Sequence, residues 1–223
     1  MKWNFKREMF ALAMILLLIA VSIYYYGILP ESIPSHFNNK GMPDNYSSKQ
    51  LFFGISIGAA ILIYIILTFI PFFDPFWKRI QNKYYIFLLF RDLAVGFTVF
   101  LTTLSFISAK EGMFKKDLFG IGFGLLFILM GNYLPRLPRN FFFGIRSPWT
   151  LASDVVWYKT HRVSGGLFVA AGIFLIILNL SGVDFLISML AVILPVIIFS
   201  SVIYPFVLFK KLQKEGGQKE NDL

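Results

Sequence analysis

The chain contains no cysteine. Disulfides, iron–sulfur clusters, thiolate zinc sites and cysteine nucleophiles are therefore excluded. Histidine is nearly as scarce, with only His36 and His161 available for metal binding or imidazole chemistry. Charge is also short: 15% of the 223 residues are Asp, Glu, Lys or Arg, against about 25% in an ordinary soluble domain. No H-E-x-x-H, G-x-S-x-G, Walker A or dinucleotide fingerprint occurs. The expectation is a protein that is not an enzyme and holds no cofactor or metal.

Hydrophobic residues make up 57% of the sequence, and Phe alone occurs 27 times. The apolar residues gather into six runs: Met9–Leu29, Leu51–Phe73, Tyr85–Ala109, Leu118–Leu134, Gly165–Val183 and Phe185–Phe209. Such runs are long enough to cross ~30 Å of hydrocarbon at about 1.5 Å per helical residue. Inside lipid every backbone polar group must bond within its own segment, so the spans are helices. The predicted fold class is all-α: a polytopic integral membrane helix bundle with about six transmembrane helices. Lys2, Lys6 and Arg7 before the first run give it a signal-peptide flank. The run exceeds a signal h-region, however, and Tyr24-Tyr25-Tyr26 stands where small residues should mark cleavage, so it reads as a retained anchor.

Net charge is +9, and its placement explains it without nucleic acid. With the N-terminus inside, 15 Lys and Arg fall on the inner side and 5 on the outer, with Arg91 the remaining one of 21. That bias predicts both termini in the cytoplasm; Lys110, Lys115 and Lys116 run against it. The organisation expected is an N-terminal two-helix region over 1–84, a four-helix region over 85–209 and a polar tail over 210–223. Gly54 with Gly58, and Gly120, Gly122 and Gly124, make small-residue faces suited to close packing within the bundle, with homo-oligomer formation the alternative. Pro195 and Pro205 should kink the sixth span.

Two loops carry candidate chemistry. The outer one, 30–50, is punctuated by Pro30, Pro34 and Pro43 and by Asn38-Asn39-Lys40-Gly41, which predicts a shaped loop of extended and turn geometry presenting His36 and Phe37. The inner one, 135–164, is too apolar for a free loop and too charged for a span. Phe141, Phe142, Phe143, Trp149 and Trp157 are expected at the membrane interface, with Arg136, Arg139, Arg146 and Arg162 reaching lipid headgroups. Ser153 should cap a short helix running through His161, and Gly165-Gly166 should bend it into the fifth span. Arg146 is the leading candidate, held between Gly144 and Pro148.

Arg91 and Asp92 lie about two turns into the third span. Intramembrane charges are candidates for function. Arg91 can snorkel, whereas Asp92 needs a partner, such as a bundle Arg or Asn132. The topology puts His36 and His161 on opposite faces, where they cannot share a metal or triad.

The run Gly144-Ile145-Arg146-Ser147-Pro148-Trp149-Thr150-Leu151 follows Gly131-Asn132 and Asn140. It precedes Asp154, Val156-Trp157 and Thr160-His161-Arg162. Together these resemble the signature of the SdpI family of bacterial membrane immunity proteins. The outer loop, with Ile33-Pro34-Ser35-His36-Phe37-Asn38, Gly41 and Pro43-Asp44, resembles a small domain of unknown function often found at the N-terminus of such proteins. The resemblance implies resistance to a secreted peptide toxin met outside. It also implies signal transduction through a small repressor protein held at the membrane inside. A small-solute or peptide transporter with a cavity near Asp92, Asn132 and Arg146 is the alternative.

Overall fold

The computed structural model describes residues 5–38 and 41–221, with side chains as far as residue 215. Lys2, Asn39 and Lys40, and the side chain of Lys219, lie outside the described residues, so the expected 38–41 turn and part of the charge count are not addressed by it. Six helical stretches are long and apolar enough to cross a membrane: Met9–Ile28, Lys49–Phe73, Trp77–Glu111, Lys116–Arg136, Asp154–Leu180 and Phe185–Glu215. The helices are α1 (Met9–Ile28), α2 (Lys49–Phe69), α3 (Trp77–Ile80), α4 (Tyr84–Glu111), α5 (Lys116–Tyr133), α6 (Pro148–Ala152), α7 (Asp154–Leu180), α8 (Phe185–Ile198) and α9 (Tyr204–Asn221).

The outer loop is a two-stranded antiparallel hairpin, β1 (Ser32–Phe37) and β2 (Pro43–Ser48). Its prolines are tolerated because a two-stranded sheet consists only of edges. Pairing runs from Ser32 opposite Ser48 to Phe37 opposite Pro43, with a register irregularity around His36. Gly41 sits in the left-handed region at φ +78°, which glycine adopts without steric cost. Ile33 is fully buried and joins Leu29, Phe53, Phe106 and Ala109, so the hairpin is seated on the ends of α1, α2 and α4. Its tip reaches the α4–α5 connection: the Gly41 carbonyl accepts from the Phe114 amide at 3.0 Å, and the Phe37 and Phe114 rings lie 5.5 Å apart. The Ser48 hydroxyl caps α2 by accepting from the Leu51 amide.

Two packing groups follow the chain. Helices α1, α2 and α4 enclose Leu18, Ala60, Val95 and Val99. Helices α5 and α7 lie along one another with their backbones nearly touching. A Cβ built on Gly172 would stand 2.4 Å from the Gly124 carbonyl, and one on Gly131 would stand 2.6 Å from the Gly165 carbonyl. Small residues allow this approach. The Gly120–Gly124 face packs inside the bundle as expected. Gly54 and Gly58 do not: nothing lies within 4 Å of a Cβ at either, because α2 turns that face away from its neighbours.

Two further expectations are corrected. Gly165-Gly166 does not bend the chain, and no separate short helix ends at His161. Ser153 caps α7 through the Val156 amide, and α7 then runs without a break for 27 residues, because Gly165 is held against α5 rather than left free. In the sixth span the break is a π-helical turn, Phe199–Ile203, between Pro195 and Pro205. Pro205 has no N–H to offer the carbonyls one turn back, so the ladder shifts register there.

The hairpin, the α4–α5 turn and the α7–α8 turn share one end of the bundle, where Lys116 and Asp184 approach to 3.7 Å. The beginnings of α1 and α4, the 134–153 loop and α9 share the other, called the inner end below after the side that the Lys and Arg placement predicts for it. With no native cysteine, single-cysteine variants test this arrangement directly. Tyr46→Cys on the hairpin should react with a membrane-impermeant maleimide in intact cells, and Ala152→Cys only after permeabilisation. Equal labelling of both in intact cells contradicts the two-ended arrangement.

Candidate functional site

At the inner end the 134–153 loop is folded down onto α7 by a chain of buried polar contacts. Asn140 is fully buried. Its carboxamide oxygen accepts from the amides of Phe142 (2.9 Å) and Phe143 (2.6 Å), and its nitrogen donates to the Pro138 and Phe143 carbonyls. This local ring turns the backbone without secondary structure. Gly144 follows at φ +87°. A Cβ there would meet His161 Nε2 at 2.4 Å, so glycine is required both by conformation and by space. The Ile145 amide then donates to His161 Nε2 at 3.0 Å, while Nδ1 donates to the Trp157 carbonyl at 2.9 Å. One acceptor and one donor define a neutral imidazole with its proton on Nδ1. The ring stacks on Trp157 with centroids 4.1 Å apart, and the Trp157 indole donates to the Leu137 carbonyl at 2.9 Å.

Beyond the turn, Ser147 and Thr150 form a reciprocal capping box on α6 with Pro148 in its first turn. The Thr150 hydroxyl also donates to the Ile145 carbonyl at 3.0 Å. The Arg139 guanidinium lies 2.8 Å from the Asp154 carboxylate at the start of α7. Asp74, between α2 and α3, accepts from the amides of Phe76 and Phe141, each at 2.7 Å. Trp157 and Phe143 are therefore not interfacial: the first is fully buried and the second 8% exposed, in the cluster of Ile80, Phe87, Leu134 and Leu137. Their rings fill the space under the loop, which an exposed anchor would leave open. Trp149 packs edge-on against Phe206 of α9 at 5.2 Å. Pro148, Arg146 and Arg162 are exposed.

A second polar centre lies between α1, α2 and α4. Arg91 is fully buried and does not snorkel. Its guanidinium contacts Glu8 at 2.5 Å and Asp92 at 2.8 Å, and donates to Thr68 (3.2 Å) and to the Arg7 carbonyl (3.0 Å). The Tyr64 hydroxyl donates to Glu8 at 2.9 Å. The partner of Asp92 is thus Arg91, its own neighbour, and not Asn132, whose carboxamide donates to the Ile128 carbonyl of its own helix.

The residues expected to share a transport cavity are dispersed. Asp92 lines an apolar hollow of about 230 Å³ between α4 and α5, with Phe10, Gly96, Phe100 and Leu129. Arg146 lines another, of about 240 Å³, with Gly144, Phe168, Ile197 and Ser200. Asn132 borders neither. On the hairpin, His36 is two-thirds exposed with Nδ1 2.5 Å from Asp44. It therefore shares nothing with His161 at the other end. Among the described residues no group of three metal-ligating side chains forms. The expected site thus resolves into an outer hairpin pair (His36, Phe37), an α4 ion cluster, and an inner clamp that unites Asn140, Gly144, Trp157 and His161.

Glu8, Asp74 and Ser200 were not singled out by the sequence. Glu8 had a readable signal. A buried Arg in a span needs a counter-ion, and Glu8 is the acidic residue abutting the first span at the same end. Asp74, in a short turn between two apolar elements, offers no such cue.

The architecture defines a multi-pass helical membrane protein whose polar residues are spent on a loop clamped to one helix and on one ion cluster. Residues 136–208 match the SdpI/YfhL protein family, and residues 13–63 match a domain of unknown function, DUF1648. The chain is 26% identical over 208 residues to Immunity protein SdpI of Bacillus subtilis (strain 168), covering 93% of this chain and 98% of that relative. No solved structure matches. The likeness of residues 136–208 to the SdpI/YfhL family is the one the Gly144–Leu151 run implied, and the chain is a multi-pass protein of the cell membrane.

Proposed function

We propose that the chain is an immunity protein that protects the cell carrying it from a secreted peptide toxin, with no catalytic step. The observation that supports this is correspondence along nearly the whole of both chains to a relative named for immunity. The correspondence takes in both the outer hairpin and the inner clamp. Both termini are cytoplasmic in this reading, from the placement of Lys and Arg. The hairpin around His36 and Phe37 is the part a peptide meets outside. The exposed inner face around Arg146 and Arg162 is where a small repressor protein is retained when the hairpin is engaged. The separation of Asp92, Asn132 and Arg146 gives the transporter reading no geometric support.

The test is survival. A sensitive bacterium expressing the chain, challenged with secreted peptides from competing strains, should form colonies at toxin concentrations at least tenfold above those tolerated by cells carrying the empty vector. A reporter under the repressor's control should respond in the same cells. Unchanged killing across the peptide panel, at verified membrane abundance, contradicts the immunity reading; protection with a silent reporter contradicts only the signalling part.

A further inference from the structure

We propose that the hollow between the inner loop and the sixth span is a binding site for a phosphate group, independent of the outer hairpin. It is lined by Gly144, Ile145, Arg146, Phe168, Ile197, Ser200 and Ser201. Three features point to an oxyanion.

The first is an unspent cation. Among the described residues the Arg146 guanidinium makes one hydrogen bond, from one terminal nitrogen to the Phe141 carbonyl at 2.6 Å. An Arg has five N–H donors in a planar fork suited to phosphate. The second is an unpartnered buried hydroxyl. Ser200 is 1% exposed and its Oγ has no partner, although a helical Ser ordinarily returns its proton to the carbonyl one turn back, as Ser201 does to Ile197 at 2.6 Å. A buried hydroxyl left unmatched is unfavourable, and a bound acceptor oxygen relieves it. The third is the π-helical turn itself. Phe199–Ile203 is the only stretch of this geometry among the described residues; such turns are often found at functional sites, and this one carries both serines of the wall.

The arrangement also fits an amphiphile. Ser200 lies 15 residues beyond Phe185, about 22 Å along the span at 1.5 Å per residue, towards the inner end. Phe168 and Ile197 line the membrane side of the hollow and Arg146 the loop side. A phospholipid headgroup of the inner leaflet presents a phosphate at that boundary with its chains toward the apolar wall. Free inorganic phosphate offers the same oxygens without the chains.

The experiment uses the full-length chain purified in a zwitterionic detergent, with Ser200→Ala and Arg146→Gln variants. Ser200→Ala removes a hydroxyl that has no protein partner, so its folding is safe. Lys159→Gln, exposed near the same end but outside the hollow, is the control. Retention of phosphatidylglycerol is read by native mass spectrometry, with inorganic phosphate as competitor. Retention should fall at least fivefold in Arg146→Gln, at least threefold in Ser200→Ala, and not in Lys159→Gln. Displacement by millimolar inorganic phosphate assigns the site to a free phosphate; no displacement assigns it to the lipid headgroup. Equal retention by all four proteins, or equal loss in all three variants, overturns the proposal. Immunity does not enter the readout, so the two proposals fail separately.

Discussion

Glu8→Ala should lower the folded fraction recovered from the membrane. Arg91 is fully buried, and in that variant it loses the shorter of its two carboxylate contacts and keeps only Asp92 at 2.8 Å. Breaking a buried ion pair outright costs about 3–5 kcal/mol; losing one of two carboxylates costs part of that, against a total stability of roughly 5–15 kcal/mol for a typical domain. The Tyr64 hydroxyl, which donates to Glu8, is orphaned as well. The measurement is the monodisperse fraction of a fluorescent fusion after detergent extraction, followed by its thermal midpoint. The Glu8→Met, Arg91→Met, Asp92→Asn triple variant should recover part of what Glu8→Ala loses, because neither the guanidinium nor the carboxylate paired with it is then left buried alone; non-additivity of this kind marks coupled groups. Lys211→Ala, which breaks only an exposed pair with Glu215, should leave the midpoint unchanged. A Glu8→Ala midpoint equal to that of Lys211→Ala would show that the cluster contributes nothing to the fold.

Gly172→Val should be nearly as damaging, for a steric reason. The first added carbon already stands 2.4 Å from the Gly124 carbonyl and 3.0 Å from the Ile128 amide. Both are backbone atoms, so no rotamer change relieves them and α5 must move away from α7. Overpacking a tight site costs about 1–3 kcal/mol, and valine adds two methyl groups beyond that first carbon. Gly58→Ala provides the contrast. Nothing lies within 4 Å of the new carbon, and alanine favours a helix over glycine by about 0.5–1 kcal/mol. Thermal midpoints in detergent should therefore fall in Gly172→Val and hold or rise in Gly58→Ala. A Gly172→Val midpoint within experimental error of the native chain would contradict the close seam.

These two contrasts also locate what was legible in the sequence. Span number and order follow from hydropathy, since lipid leaves the backbone few options. The cap at Ser153 and the break between Pro195 and Pro205 follow from side-chain chemistry local to each residue. Partner choice across the bundle was not legible. Gly54 and Gly58 carry the same spacing as Gly120 and Gly124, yet only the latter meet a neighbour. Spacing tells which residues share a face, not which way the face turns. Trp157 and Trp149 fall in the same predicted inner loop, but one is a buried donor to Leu137 and the other packs on α9. The inner clamp was visible as a signature, while its meaning depended on three-dimensional closure. Gly144 is needed because His161, distant by 16 residues from Ile145, arrives beneath it.

The link between Glu8 and Arg91 joins groups 83 positions apart, and it imposes an order on biosynthesis. When the first span leaves the insertion machinery, the residue that will neutralise its carboxylate has not been made. Until α4 arrives, the acid end of the first helix has no guanidinium to face and stays in water at the membrane boundary. The α1 anchor is therefore made well before the partner that lets it settle, and truncation before Arg91 should leave it a substrate for quality-control proteolysis.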